Sequence, residues 1–379
     1  MTERLGVAVV GCGQIAPKHF AAIAETAGIE LRAICDVDPA KRRVWADKLG
    51  VPALGDIEDV LARTDIDVVS ICTPNYLHAP MARAALDAGK HAVVEKPLAL
   101  SSADALDLGR TFRNANRALF CVLQVRYNTA FCAAAEAVRE GALGRIYVAS
   151  MIQRWNRGAH YFEGDTNWHG KRALEGGALF TQGIHYIDLL LLLAGPVVEV
   201  SGRTATLAHR IETEDAVVAY LSFRSGAVGV IEFSLDAFRT NLEASITLLG
   251  ERGNIQLGGT AANEIAFWDT ESRARPQGLE ASVPNDYGGA YVGSPPNHGS
   301  IYRNVAAHLN GREAVSVSAE SAAESIRVVE AIYESGDIGK PVTVADLCKD
   351  RGHQRILGER AEGQRHGSPV RGTGGKQTA

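Results

Sequence analysis

Leu5-Gly6-Val7-Ala8-Val9-Val10-Gly11-Cys12-Gly13-Gln14-Ile15-Ala16 is the stretch that decides the fold. Leu5 to Val10 is apolar almost throughout, as a strand buried on both faces requires. The residues that follow have the G-x-G-x-x-G/A spacing of a strand-to-helix turn that wraps a pyrophosphate. Gly11 allows the tight turn, Gly13 lets backbone approach the phosphates, and Ala16 lets strand and helix pack closely. Helical spacing then runs over 17–26, with Pro17 in a first turn, where its missing N–H costs nothing. The start of that helix offers free N–H groups and partial positive charge to an anion. Gln14 and Ile15, inside the turn, belong to the same contact set.

Working outward, strand and helix signals alternate. Strands are expected over 30–35, 67–72, 92–94 and 118–123, and helices over 39–49, 79–88 and 103–114. This rhythm predicts an α/β domain over 1–123, a Rossmann-type doubly wound parallel sheet. Beyond Leu123 the pattern changes. A helix over 129–140 and a strand over 145–153 lead into a loop over 154–177, then an apolar helix over 183–194. Strands follow over 197–206, 216–223, 227–234, 243–249 and 254–257, with Ser225-Gly226 as a hairpin turn. Helices over 298–309 and 319–335 complete an α+β domain over 124–345, an open, mostly antiparallel sheet with helices on one face. The other face would present apolar strands to water, which predicts a homodimer or homotetramer. Residues 346–379 are polar and Gly-rich, with six Arg and Lys against two Glu after Asp350. They bury too little to offset ordering entropy and read as a disordered, solvated tail.

Composition narrows the function. A chain of 379 residues exceeds one ordinary core, and its 46% apolar content supports two. A net charge of -5 argues against a nucleic-acid partner. No apolar run approaches the roughly 20 residues that span a bilayer. Met1-Thr2-Glu3-Arg4 leads straight into a strand rather than a signal peptide. The six cysteines form neither C-x-x-C nor a metal-like cluster, so no metal is expected and a reducing, cytoplasmic setting fits. The expected partner is a small molecule.

The second strand ends at Ile34-Cys35-Asp36. A carboxylate there accepts hydrogen bonds from the adenosine ribose and repels a 2′-phosphate, which selects NAD over NADP. Capping the next helix is the other task for an aspartate here, and Asp38, just before Pro39, suits it better. The third strand runs into Thr73-Pro74-Asn75-Tyr76-Leu77-His78. Thr73, Asn75 and His78 lie where polar groups reach a cofactor, although Pro74-Asn75 is also ordinary turn chemistry and His78 reads as structural. The fourth strand ends Val94-Glu95-Lys96-Pro97, beside the expected nicotinamide. An amine in that desolvated, positively charged setting has a depressed pKa suited to proton work.

With these residues the sequence resembles the Gfo/Idh/MocA family over about residues 5 to 345. The resemblance rests on the glycine turn, Thr73-Pro74-Asn75, Glu95-Lys96-Pro97 and Gly183-Ile184-His185-Tyr186-Ile187-Asp188. It implies that Lys96 and His185 meet at the carbon that gives up hydride, and that Glu95, Lys96 and Gln124 contact NAD. Many members carry Asp four residues before the histidine; here Thr181 stands there, which weakens an Asp–His relay and makes Thr181 a sugar-positioning group. Within the family the segments Ile15-Ala16-Pro17-Lys18-His19, Leu123-Gln124-Val125-Arg126, Asn167-Trp168-His169-Gly170-Lys171-Arg172 and Thr181-Gln182-Gly183 are most similar to dehydrogenases acting at carbon 3 of UDP-N-acetylglucosaminuronate (UDP-GlcNAcA).

That similarity gives an expected substrate set of Lys96, Arg126, Trp168, Lys171, Arg172, Thr181, Gln182 and His185. Arg154 and Arg157 lie on segments facing the same cleft, and arginine suits bidentate recognition of a pyrophosphate and a carboxylate. Two other readings remain. One is an inositol or free-sugar dehydrogenase, or a 3-keto-sugar reductase, on the same fold. The other is a non-catalytic sensor of dinucleotide, against which the intact Lys96 and His185 speak.

Overall fold

The computed structural model describes residues 4–164, 167–286 and 292–348. Its first sheet holds β1 (Leu5–Val10), β2 (Ile29–Cys35), β3 (Ala53–Leu54), β4 (Val68–Ile71), β5 (His91–Glu95) and β6 (Leu119–Val122) in the order β3-β2-β1-β4-β5-β6. Every pair is parallel, and the interiors of β1, β4, β5 and β6 are buried, while β3 and the middle of β2 are half-buried. Helices α1 (Ala16–Glu25), α2 (Pro39–Leu49), α3 (Ile57–Leu61), α4 (His78–Asp87) and α5 (Ser102–Asn114) make the crossovers. The order reverses between β1 and β4, and the carboxyl ends of those strands open the crevice where such sheets bind ligands.

The second sheet has eight strands and carries the helices α6 (Thr129–Arg139), α7 (Arg172–Glu175), α8 (Ile184–Ala194), α9 (His298–Leu309) and α10 (Ala319–Ile338). Its strands are β7 (Ile146–Arg154), β8 (Val197–Ala205), β9 (Ala216–Phe223), β10 (Val228–Ser234), β11 (Glu243–Gly250), β12 (Gly253–Gly258), β13 (Glu264–Thr270) and β14 (Val342–Thr343), ordered β13-β12-β11-β7-β10-β9-β8-β14. Only β7 and β10 pair in parallel; the other neighbours are antiparallel. Gly226, at φ +86°, closes the β9–β10 hairpin at the expected turn.

Two helices tie the halves together. α10 packs on β8, α8 and α5, and α9 packs on α1. At the α5–α10 crossing a Cβ on Gly109 would stand 2.6 Å from the Cβ of Ala319, so only glycine lets the helices approach this closely.

The structure adds elements that periodicity does not announce. β3 and β14 are two residues each, α3 is five, and β13 is an edge strand with little buried surface. The loop over 154–177 contains α7, and a π-helical turn, Leu179–Gly183, precedes α8. The stretch Arg172–Ala194, interrupted at Gly176 (φ +87°) and Gly177 (φ +150°), is long and apolar enough by length and composition alone to cross a bilayer. Its most apolar window is 89% buried inside the protein, as a core helix is. The expected tail starts later than predicted, because Val344–Cys348 forms a 3-10 turn; residues 349–379 lie outside the described residues.

Candidate active site

A cleft of about 820 Å³ runs from the glycine turn, across the ends of β2, β4 and β5, to the π-helical turn before α8. At one end Gly11 takes φ +96°, and a Cβ there would meet the Cys72 carbonyl oxygen at 2.6 Å, so the turn itself demands glycine. A Cβ on Gly13 would meet nothing within 4 Å, which leaves open the space a phosphate needs. In the first turn of α1 Ala16 N–H donates to Gly13 O at 3.2 Å, Lys18 N–H donates to Ile15 O at 3.0 Å and Pro17 has no N–H, so, against the expectation of free donors, the helix start offers an anion only its partial positive charge. Gln14 and Ile15 line the same wall.

Asp36 lies at the end of β2 on the cleft wall. One carboxylate oxygen accepts from the Cys12 N–H at 2.7 Å and the other from the Asp38 N–H at 2.8 Å. Those bonds fix its direction and leave lone pairs for ribose hydroxyls. Asp38 caps α2, accepting from Ala40 N–H at 2.8 Å, so the two aspartates divide the tasks as their spacing suggests. Gln124, also lining the cleft, keeps a buried Oε1 with no partner, an acceptor poised for a donor from a ligand. These residues suit a dinucleotide.

Thr73, Asn75 and His78 border the cleft but are largely engaged with protein. Asn75 Nδ2 donates to Glu175 O at 2.8 Å and to Thr181 Oγ1 at 3.0 Å, linking the first sheet to the sugar end. His78 bridges the carbonyl oxygens of Thr73 and Pro97 at 2.8 and 2.7 Å, which fits the structural role. The Lys96–Pro97 peptide is cis.

At the centre, Lys96 Nζ donates to Thr181 O at 2.5 Å, which sets the amine against the π-helical turn. Burial pushes its pKa down, and the carboxylates of Glu95 and Glu175 push it back only partly. His185, one turn beyond Thr181, also lines the cleft; its Nδ1 is buried with no hydrogen-bond partner. Burial, then the Lys96 charge, hold the imidazole well below its usual range, so it sits neutral at neutral pH and can accept a proton. An amine and a bare imidazole at the end of β5, beside a dinucleotide crevice, equip the site to move a hydroxyl proton as hydride leaves the carbon.

The sugar end departs from expectation. Trp168, Thr181 and Gln182 border the cleft; Arg126, Lys171 and Arg172 do not. Arg126 grips Asp188 of α8 bidentately, Nε to Oδ2 at 2.6 Å and Nη2 to Oδ1 at 2.5 Å, and also donates to Ser321 Oγ at 2.8 Å. Its guanidinium ties the short turn over 124–127, just ahead of α6, to α8 and α10. Arg172 donates to Glu212 O at 2.8 Å, and Arg154 forks onto Glu232 at 2.6 and 2.7 Å on the sheet. Arg157 is buried behind the wall, giving Nη2 to Gln182 Oε1 at 2.8 Å while Gln182 Nε2 donates to Tyr161 OH at 2.6 Å.

Sequence reasoning missed His160, Tyr161 and His169, which line this end. The His169 ring lies between Trp168, at 3.9 Å, and Tyr161, at 4.1 Å, and its Nδ1 faces the buried Glu175 carboxylate at 3.5 Å. The aromatic run Trp168-His169 was the available signal.

A dinucleotide crevice joined to an amine–imidazole pair defines an NAD-dependent oxidoreductase. Residues 5–123 match the oxidoreductase family model with an NAD-binding Rossmann fold, and 131–256 match the GFO/IDH/MocA C-terminal domain. The chain belongs to the Gfo/Idh/MocA family and is an NAD-dependent sugar oxidoreductase. It is similar to the WlbA dehydrogenase of Chromobacterium violaceum, solved with NADH and UDP-GlcNAcA: 34% identity, 90% of this chain and 97% of that one covered, TM-score 0.82. The Bordetella pertussis WlbA dehydrogenase, with the same ligands, is 34% identical over 90% and 99%, TM-score 0.80. A D-apiose dehydrogenase of Rhizobium rhizogenes is 27% identical over 360 residues, 92% of this chain and 99% of that relative.

Proposed function

We propose that this enzyme oxidises the 3-hydroxyl of a nucleotide sugar acid of the UDP-GlcNAcA kind. The observation that carries the reading is full-length similarity to two WlbA dehydrogenases solved with that ligand, joined to Lys96, Thr181 and His185 converging on one cleft. NAD, when bound, supplies the hydride acceptor; Gly11, Gly13, Asp36 and Gln124 would hold it. Lys96 donates a hydrogen bond to the 3-oxygen and stabilises the developing alkoxide, and His185 accepts the proton. Thr181 and Gln182 position the ring, Trp168 and Tyr161 wall it from water, and Arg157 lends buried positive charge from behind Gln182.

A second reading has its own support. With Arg126, Lys171 and Arg172 absent from the cleft lining, the sugar end carries fewer cations than a nucleotide sugar acid invites, and a relative at 27% identity is a D-apiose dehydrogenase. A panel separates the two: NADH absorbance is followed with NAD and UDP-GlcNAcA, UDP-GlcNAc, myo-inositol, apiose or glucose. UDP-GlcNAcA should exceed UDP-GlcNAc by about 10-fold or more, the value of one charge-assisted hydrogen bond to the carboxylate. A free sugar or inositol turning over faster than every UDP-sugar replaces the first reading with the second.

The exposed sheet face carries Tyr147, Val218, Tyr220, Val228, Val230 and Phe267. Such a face supports a homodimer or homotetramer, and the sedimentation mass of the intact protein decides it.

A further inference from the structure

Beneath the active site lies a buried polar cluster of which only Glu95 borders the cleft. Glu95 Oε1 stands 3.1 Å from His19 Nε2 and 3.4 Å from His298 Nε2. His19 Nδ1 stands 2.8 Å from Tyr302 OH and 3.2 Å from Ser70 Oγ, and those two hydroxyls are 2.8 Å apart. His19, Ser70, His298 and Tyr302 are at most 1% exposed, and Glu95 is 6% exposed. The members come from α1, β4, β5 and α9, so the cluster fastens the two halves of the molecule directly behind Lys96.

The chemistry of the donors fixes its protonation. An ionised carboxylate only accepts, so both Nε2 atoms must carry hydrogen to bond it. Neutral His19 then presents a bare Nδ1, which a hydroxyl of Tyr302 or Ser70 satisfies, and the second hydroxyl donates to the first. His298 Nδ1 alone in the cluster stays buried without a hydrogen-bond partner. Glu95 Oε2 accepts from the Lys96 backbone N–H at 3.2 Å. Burial by itself would raise the Glu95 carboxyl, but the two imidazole N–H groups outweigh it and hold the group well below the usual range.

We infer that His19 and His298 are positioning residues: they hold Glu95 as a fixed, buried anion behind Lys96, and through it set the place and charge of the catalytic amine. The other charged or titratable groups facing Lys96 are Glu175 beside α7, Arg157 behind the wall, His185 on α8, His78 on α4 and Cys121 on β6. Among these, Glu175 and Glu95 favour the ammonium form, and Arg157 opposes it. Removing the Glu95 charge therefore moves the Lys96 titration to lower pH. The inference rests on the catalytic reading of Lys96 but is tested without it.

The test follows the Lys96 amine itself, in the NAD-bound protein, by trace acetylation across pH and peptide mass spectrometry. Glu95→Gln keeps shape and loses charge. The double variant His19→Leu/His298→Leu strands the carboxylate without donors, and a stranded buried carboxyl takes up a proton. Both should lower the Lys96 midpoint by about one unit or more, as loss of a close opposite charge does. The double variant His19→Gln/His298→Gln, whose amides restore N–H donors, should return it toward the native value. The same order should appear in the pH profile of kcat. A native midpoint in folded Glu95→Gln overturns the inference, as does failure of the glutamine pair to restore it, or one equivalent of metal in the native protein lost from the leucine pair. If Lys96→Met stays active while the midpoint shifts as stated, the electrostatic coupling stands and the catalytic role of Lys96 falls.

Discussion

Lys96→Met should lower kcat by about 10²–10⁴-fold, the usual cost of removing a placed acid–base group, while NAD still binds. The amine is held by Thr181 O at 2.5 Å, and the proposed dinucleotide contacts on Gly11, Gly13 and Asp36 do not depend on it. Methionine matches the length of the lysine stem and fills the same space, so a folding defect is not expected to mimic the loss. Titration calorimetry with NAD beside steady-state kinetics separates the two. A rate within a few-fold of native would remove Lys96 from the chemistry. A lost NAD affinity with native kcat would recast it as a cofactor anchor.

Arg126→Ala should destabilise the fold by about 3–5 kcal/mol, because it leaves one member of a buried ion pair alone. Asp188, 1% exposed, would keep only Ser325 Oγ, at 2.9 Å, against the loss of two guanidinium bonds. For a chain of this size that corresponds to a fall in melting temperature of roughly 4–6 °C. Folded molecules should keep their KM for sugar and for NAD within a few-fold. A substrate-reading arginine behaves oppositely, raising KM while leaving the melting curve in place, and that outcome would return Arg126 to the cleft. Thermal unfolding beside KM decides between them.

These two residues show what local sequence can and cannot tell. The glycine turn, Asp36 and Glu95-Lys96-Pro97 were legible because each acts at the end of its own buried strand, where the chain alone dictates direction. Arg126 was not: its partner Asp188 sits 62 positions away, and only the packing of the turn over 124–127 against α8 brings them together. The His19–Tyr302 contact spans 283 positions, and its one sequence trace is Ser70, a polar residue inside an otherwise apolar strand. The π-helical turn, Leu179–Gly183, which carries Thr181 and Gln182, left no periodic signature, since one widened turn shifts the register of a helix without changing its composition. Short edge elements such as β3 and β14 bury too little surface to leave a pattern.

The most direct test of the account follows the hydrogen. UDP-GlcNAcA carrying deuterium at carbon 3 is incubated with NAD and the enzyme, and the reduced cofactor is weighed by mass spectrometry. The account predicts reduced cofactor one mass unit heavier than that from unlabelled sugar, with the deuterium retained on the nicotinamide ring. Reduced cofactor without the label, or none formed while a free sugar is oxidised in the parallel reaction, would contradict hydride transfer from carbon 3 of a nucleotide sugar.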